Sequence, residues 1–188
     1  GIGWHPVSAA DWELARHAWE KGINCPTSTA VGRMFDAAAA LTGLLEAGSF
    51  EGQGPMYLEA AAEGVVVEPV CLPLQSADGI WFTDWEPLLG MLRDERYSVQ
   101  RRAAAFHASM AQALVAQVDR IRETTPTDRI ALTGGVFQNR CLTELVRDRM
   151  NERGIRLELD ETLPVNDGGL SAGQIVEYAA RLAGPDSA

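Results

Sequence analysis

Apolar positions first recur at helical spacing over residues 29–45, where Val31, Met34, Phe35, Ala38, Leu41 and Leu45 fall on one stripe. That pattern predicts an amphipathic helix. A longer one is expected over 99–122, carried by Val99, Ala103, Phe106, Met110, Leu114, Val118 and Ile121. Shorter helices are expected over 9–21, closed by Gly22, and over 55–63, with Pro55 at its start. Between the short helices and the long one the signal changes. The run 65–72 is β-branched and the run 79–83 has strand composition, so the two should pair across the polar turn 76–79. Further on, a strand over 129–133 leads through Gly134-Gly135 into a helix over 138–153, closed by Gly154. A strand over 155–159 and a helix over 170–182 complete the pattern. Helix and strand alternate in this second half, which argues an α/β domain with a partly parallel sheet.

Composition narrows what such a domain can do. The chain has 188 residues, 46% hydrophobic and 22% charged, which excludes disorder and low-complexity character and suits one soluble globular domain. No repeat or linker divides it. Acidic residues outnumber basic ones, 26 to 16, giving a net charge of −10, and a surface of that sign repels nucleic-acid phosphates. No nucleic-acid partner is expected. The three cysteines, Cys25, Cys71 and Cys141, form no CxxC pair, so neither a zinc knuckle nor a disulfide framework is indicated, and a reducing, cytoplasmic setting fits. Residues 1–14 lack the basic and apolar regions of a signal peptide. No apolar run approaches the roughly 20 residues of a membrane span, so no membrane association is expected.

Three segments can carry chemistry. At Gly134-Gly135 a strand ends and a helix begins nearby; residues without Cβ let a ligand approach the backbone, and free N–H groups at a helix start attract anions. A phosphate site is one reading and an ordinary strand-to-helix turn the other; the sequence is neither a Walker loop nor GxGxxG. Gly32 and Asp36, four apart on the helix expected there, put a carboxylate beside bare backbone, which suits the two hydroxyls of a ribose. A solvated Asp beside a tolerated helix glycine is the alternative. In Asn166-Asp167-Gly168-Gly169 an Asn or Asp ahead of a helix is first of all a cap, but the paired glycines leave the Asp167 carboxylate free to hold a metal. His107, beside Phe106 at the edge of the long helix's stripe, reads as a half-buried hydrogen-bonding residue, with a catalyst as the alternative. His5 and His17 are isolated, and no nucleophile–base set can be assembled, so acid–base chemistry by this chain alone is poorly supported.

Taken in order, Asn24-Cys25-Pro26, 32–37, Glu51-Gly52-Gln53 with Leu58-Glu59, Phe106-His107, 133–140 (Thr-Gly-Gly-Val-Phe-Gln-Asn-Arg) and 166–170 (Asn-Asp-Gly-Gly-Leu) resemble the C-terminal part of the HypF carbamoyltransferases, which mature nickel–iron hydrogenases. The likeness runs from about Leu14 to Leu182. It implies an α/β fold, one lobe of the actin/sugar-kinase (ASKHA, ribonuclease H-like) type, within a module similar to the tRNA threonylcarbamoyl transferases. It further implies that carbamoyl phosphate and ATP are converted to carbamoyl-adenylate elsewhere in the protein. This module would then move the carbamoyl group to the C-terminal cysteine of HypE, where dehydration gives the source of the hydrogenase cyanide ligands. By resemblance, Gly134 and Gly135 face nucleotide phosphate, Asn139 lies near the nucleoside, Gly32 and Asp36 hold ribose, and Asp167 is a ligand of a divalent metal. His107 and Glu51-Gly52-Gln53 match family positions to which no role attaches.

The chain has no HxxxH pair for that metal and no part resembling the acylphosphatase-like, zinc-binding or carbamoyl-adenylating domains. The expectation is that residues 1–188 form the C-terminal lobe of the carbamoyltransferase domain, that Asp167 alone holds metal weakly, and that the lobe alone is inactive. A lobe of a small-molecule O-carbamoyltransferase, a threonylcarbamoyl-transferring homologue and a non-catalytic nucleotide-binding or interaction domain remain alternatives. The run Phe137-Gln138-Asn139-Arg140 favours HypF over the other transferases.

Overall fold

A computed structural model describes residues 8–160 and 162–183; His5 lies outside them. Helix α1, Ala9–Glu20, is capped by Ser8, whose Oγ accepts the Asp11 N–H at 3.1 Å, yet it buries no residue: Trp12, Leu14 and Trp19 all face outward. Helix α2, Gly32–Leu41, is shorter at both ends than its apolar stripe. Gly43 stops it. With φ at +79°, that glycine donates to the Ala40 carbonyl while Leu44 donates to Ala39, at 3.0 and 2.9 Å, a Schellman ending that the stripe cannot report. Helix α3, Gln53–Ala62, packs on α2, with Gly54 lying against Ala39 and Asp36, and buries Leu58 and Ala62.

The run 65–72 is not a strand. Pro69 offers no N–H for a ladder, and the Val70 N–H donates instead to Ser109 Oγ at 2.8 Å. The hairpin forms from β1, Leu74–Ala77, and β2, Ile80–Thr83. Asp78 and Gly79, with φ of +51° and +79°, make a tight two-residue turn that sets the antiparallel register Ala77↔Ile80 and Leu74↔Thr83. A short helix not expected from the sequence, α4, Glu86–Leu92, follows; Asp84 Oδ1 accepts the Glu86 N–H at its start, and Leu88 and Leu92 are buried.

The centre of the molecule is α5, Val99–Arg122, capped by Ser98. Residues 102–109 are all buried, so this half of the helix is enclosed on every side. Its buried alanines, at 103, 104, 105, 108, 111 and 113, let neighbouring helices approach closely. Phe106 and Phe35 meet edge to face at 4.8 Å and 87°. Strand β3, Arg129–Leu132, helix α6, Arg140–Glu152, and strand β4, Arg156–Leu159, form a β–α–β unit with the strands parallel in register Arg129↔Arg156 and Leu132↔Leu159. Helix α7, Leu170–Ala183, closes the order, and none of its residues 170–182 is buried. The alternation expected for the second half is present. Among the described residues no helix is long and apolar enough to cross a membrane.

Candidate functional site

Parallel strands in α/β units present their carboxyl ends to ligands. Here the carboxyl ends of β3 and β4, the segment after β4 and the first turns of α7 frame an open cleft of about 760 Å³. Gly134 lies on its wall with φ +110° and ψ 150°, a conformation essentially restricted to glycine, and its N–H donates to Val165 O at 2.7 Å. Asp167 lines the same cleft, exposed, at the start of a short turn capped by Asn166, whose Oδ1 accepts the Gly168 N–H at 2.9 Å. The turn is tight: a Cβ on Gly169 would fall 2.4 Å from the Pro164 carbonyl oxygen. The structure therefore brings Gly134 and Asp167 to one cleft.

The Gly134-Gly135 step does not run straight into a helix N-terminus. A single 3-10 turn, Gly135–Gln138, intervenes, and α6 starts at Arg140. Its first N–H groups are taken from inside the protein. Glu59 on α3 accepts the N–H groups of Arg140 and Cys141 on one carboxylate oxygen, at 2.6 and 3.1 Å, and Asn139 Oδ1 accepts that of Leu142 at 2.8 Å. The anion-attracting helix start expected from sequence is thus already filled. What remains at the turn is glycine backbone that a ligand can approach.

Asn139 is buried, with both ends of its amide engaged. Because Oδ1 faces Leu142, Nδ2 faces His107 Nε2, 3.1 Å away. Nε2 must then accept, and Nδ1, 2.8 Å from the Ala103 carbonyl, carries the proton. His107 is fully enclosed rather than half-buried, because α6 covers the edge of the α5 stripe on which it sits. Burial pushes its pKa below the ordinary imidazole value, against the pull of the Ala103 carbonyl and the Glu59 charge. The unfolded chain takes up a proton that the folded chain refuses, so stability should fall as pH drops below about 6.5. Thermal melts at about pH 5.5 and 7.5 check this, and His107→Gln should narrow the difference.

Gly32 and Asp36 stand on α2 and are not part of the cleft wall. Both are exposed; a Cβ on Gly32 would meet nothing within 4 Å, and Asp36 Oδ2 faces Arg33 at 3.5 Å. They connect to the cleft side through the core. Phe35, the neighbour of Asp36, lies 5.5 Å from the His107 ring, and His107 holds Asn139 at the end of the glycine turn. In the Glu51-Gly52-Gln53 segment, Gln53 Oε1 accepts the Ser49 N–H at 2.7 Å and Nε2 meets the Tyr57 hydroxyl at 3.0 Å, which closes the loop ahead of α3.

The cleft wall also carries Glu158, Asp160 and Glu177. The N–H of Leu163 and the hydroxyl and N–H of Thr162 hold the Asp160 carboxyl below the usual carboxylate range. Burial, with Glu59 and Glu144 nearby, pushes the Cys141 thiol up, so it is no thiolate nucleophile.

The chain matches, over residues 4–174, the family described as carbamoyltransferase, Kae1-like domain, second subdomain. It is 40% identical over 178 residues to the carbamoyltransferase HypF of Rhodobacter capsulatus, covering 93% of this chain and 23% of that protein. It is 33% identical over 150 residues to the HypF of Rhizobium leguminosarum bv. viciae, covering 79% and 19%. A full-length HypF crystallised in a phosphate- and nucleotide-bound form superposes with a TM-score of 0.85 at 26% identity, over 95% of this chain and 24% of that one. The HypF of T. kodakarensis shares the fold, with a TM-score of 0.77 at 24% identity, over 94% and 23%. The protein is thus an α/β lobe of Kae1-like type, consistent with the actin/sugar-kinase expectation. It belongs to the HypF carbamoyltransferase family and spans about a fifth to a quarter of the length of these HypF proteins.

Proposed function

We propose that this chain is the nucleotide-holding lobe of a HypF-type carbamoyltransferase. In that reading the full-length protein passes a carbamoyl group from carbamoyl-adenylate, made from carbamoyl phosphate and ATP, to the C-terminal cysteine of a HypE-type acceptor. The observation that carries it is the cleft at the carboxyl ends of β3 and β4, where glycine-only backbone at Gly134 and the exposed Asp167 meet. Support also comes from the HypF of the same fold that was solved with phosphate and nucleotide bound. Gly134 and Gly135 would border the phosphate and Gly32 with Asp36 the ribose. Asn139 would border the nucleoside as the pin of the glycine turn, since its amide is already engaged.

The residues present do not by themselves complete a metal centre. Asp167 offers one carboxylate, and among the described residues no group of three or more His, Cys, Asp or Glu could hold an ion. The acidic cleft wall disfavours a bare nucleotide and favours its magnesium complex. The described cleft wall carries carboxylates but no histidine, cysteine, serine or lysine, so in this reading the lobe binds and orients, and reaction needs the rest of the protein. By itself the chain should transfer no carbamoyl group to a HypE C-terminal peptide, and measurable transfer would refute this.

The nucleotide reading is tested by titrating magnesium–ATP and AMP into the full-length protein. Gly32→Val places its side chain in open space, and Asp36→Ala removes an exposed ion pair worth about 0–1 kcal/mol. Both should leave the melting temperature nearly unchanged and weaken binding by about 10-fold, the loss of one good polar contact. Unchanged affinity in both variants would sink the ribose assignment.

A further inference from the structure

We infer that His107 is a positioning residue: its buried imidazole ties helix α2, which carries Gly32 and Asp36, to the Gly135–Gln138 turn, fixing the spacing between the two halves of the site. The inference rests on the nucleotide reading above and adds how its separated parts are held in register.

The geometry is specific. On one side the imidazole meets Phe35 edge-on at 5.5 Å and 75°, and Phe106 at 5.9 Å and 88°. Phe35 is flanked by the candidate ribose residues, so the ring seats α2 at that point. On the other side Nε2 accepts from Asn139, the residue at which the 3-10 turn passes into α6. Nδ1 donates to Ala103 within α5, which locks the ring's rotation.

Neither packing nor capping explains this choice of residue. An aliphatic side chain would fill the same space without burying two polar nitrogens, which is unfavourable unless both are bonded. The α6 cap does not need histidine either: Asn139 caps through Oδ1, and a serine could do as much. What the imidazole adds is a second hold on the Asn139 amide, which fixes its plane and with it the backbone where the turn ends. Other contacts converge on the same joint: Thr143 Oγ1 donates to the Phe137 carbonyl at 2.9 Å, and Glu59 holds the Arg140 and Cys141 N–H groups. Glu59 is the carboxylate whose charge reaches the imidazole.

Three single variants of the full-length protein and the double variant His107→Leu with Asn139→Ser test this, each compared by amide hydrogen exchange and by magnesium–ATP titration. His107→Leu removes both bonds. Asn139→Ser keeps a cap but cannot reach the imidazole. His107→Gln keeps an acceptor near the Nε2 position. Nitrogen-15 shifts of the wild-type imidazole, recorded on this chain, should show the Nδ1–H tautomer and no titration near the ordinary value of about 6.5. His107→Leu and Asn139→Ser should each speed exchange at Phe137 and Asn139 or its replacement, and weaken nucleotide binding by about 10-fold. The double variant should be no worse than either single one, as expected for one shared interaction, and His107→Gln should recover most of the loss.

Additive losses, unaltered exchange at the turn in His107→Leu, or a freely titrating imidazole would each overturn the inference. Should the wild-type protein bind no nucleotide, the proposed function falls, and the exchange and tautomer results still decide the role of His107.

Discussion

Replacing Phe106 by alanine should destabilise the protein by about 3–5 kcal/mol, the range for emptying a buried aromatic site. Phe106 is fully buried on α5 and packs edge to face with Phe35, with His107 beside it. The usual relief for such a deletion is inward collapse of the surroundings. Here Ala103, Ala104 and Ala105 on α5 already hold the adjacent helices close, so little can move in. A domain of this size has about 5–15 kcal/mol of stability to lose, which makes this one change about a fifth of the total or more. The loss should appear as a lower urea midpoint with little change in slope. Phe106→Leu, which restores most of the volume, should cost about 1.5 kcal/mol or less. A loss below about 1 kcal/mol for the alanine variant would mean that the aromatic cluster is not the keystone of the core.

The second large effect is at Gly134. Its φ of +110° with ψ of 150° costs any other residue about 1–3 kcal/mol, and a β-branched one stands at the high end. No atom lies within 4 Å of where a Cβ would sit, so the penalty comes from the backbone alone. The chain can relieve it by rotating the peptide, but that breaks the 2.7 Å bond from Gly134 to Val165 O and swings the turn off the cleft wall. Gly134→Val should therefore lower the melting temperature by roughly 6–12 °C, the shift for a penalty near the top of that range in a chain of this size. Nucleotide affinity should fall by about 10- to 100-fold. Gly135 has no such backbone demand, and a Cβ there makes only ordinary contact with Asn166, 3.7 Å away. Gly135→Ala should leave the melting temperature near wild type. Wild-type affinity in Gly134→Val would remove Gly134 from the site.

What the sequence made legible follows from the range of each signal. The α5 stripe, the β–α–β order and the Asn166-Asp167 turn are local patterns, and all three are in the structure. The end of α2 was not legible from hydrophobicity, because Leu44 and Leu45 continue the stripe while Gly43 turns the backbone away. The hairpin had two competing signals. The β-branched run 65–72 competes with the better guide, Asp78-Gly79, whose tight turn demands that the partner strand end immediately before it. Helix α4 was hidden because seven residues hardly show a period. In the candidate site, Gly134 and Asp167 could be named from glycine spacing, and they share the cleft. The Glu59 cap could not, since 81 residues separate it from Arg140 and no local pattern links them. Asn139 illustrates the limit well: its family motif suggests a ligand contact, whereas its side chain is spent on Leu142 and His107.

Helix α7 supplies one wall of the cleft through Leu170, Gly173, Gln174 and Glu177, yet it buries nothing, and Ile175, Val176, Tyr178 and Leu182 are each more than half exposed. A wall with so little apolar anchorage belongs to the least stable part of the molecule and opens at small free-energy cost. The competent cleft then exists only for the fraction of time that α7 is seated, and apparent affinity falls by that same fraction. A domain or partner that covered the outer face of α7 would raise that fraction towards one. It would tighten nucleotide binding without touching the nucleotide, and the gain would be read as an association rate constant that rises while the dissociation rate constant stays fixed.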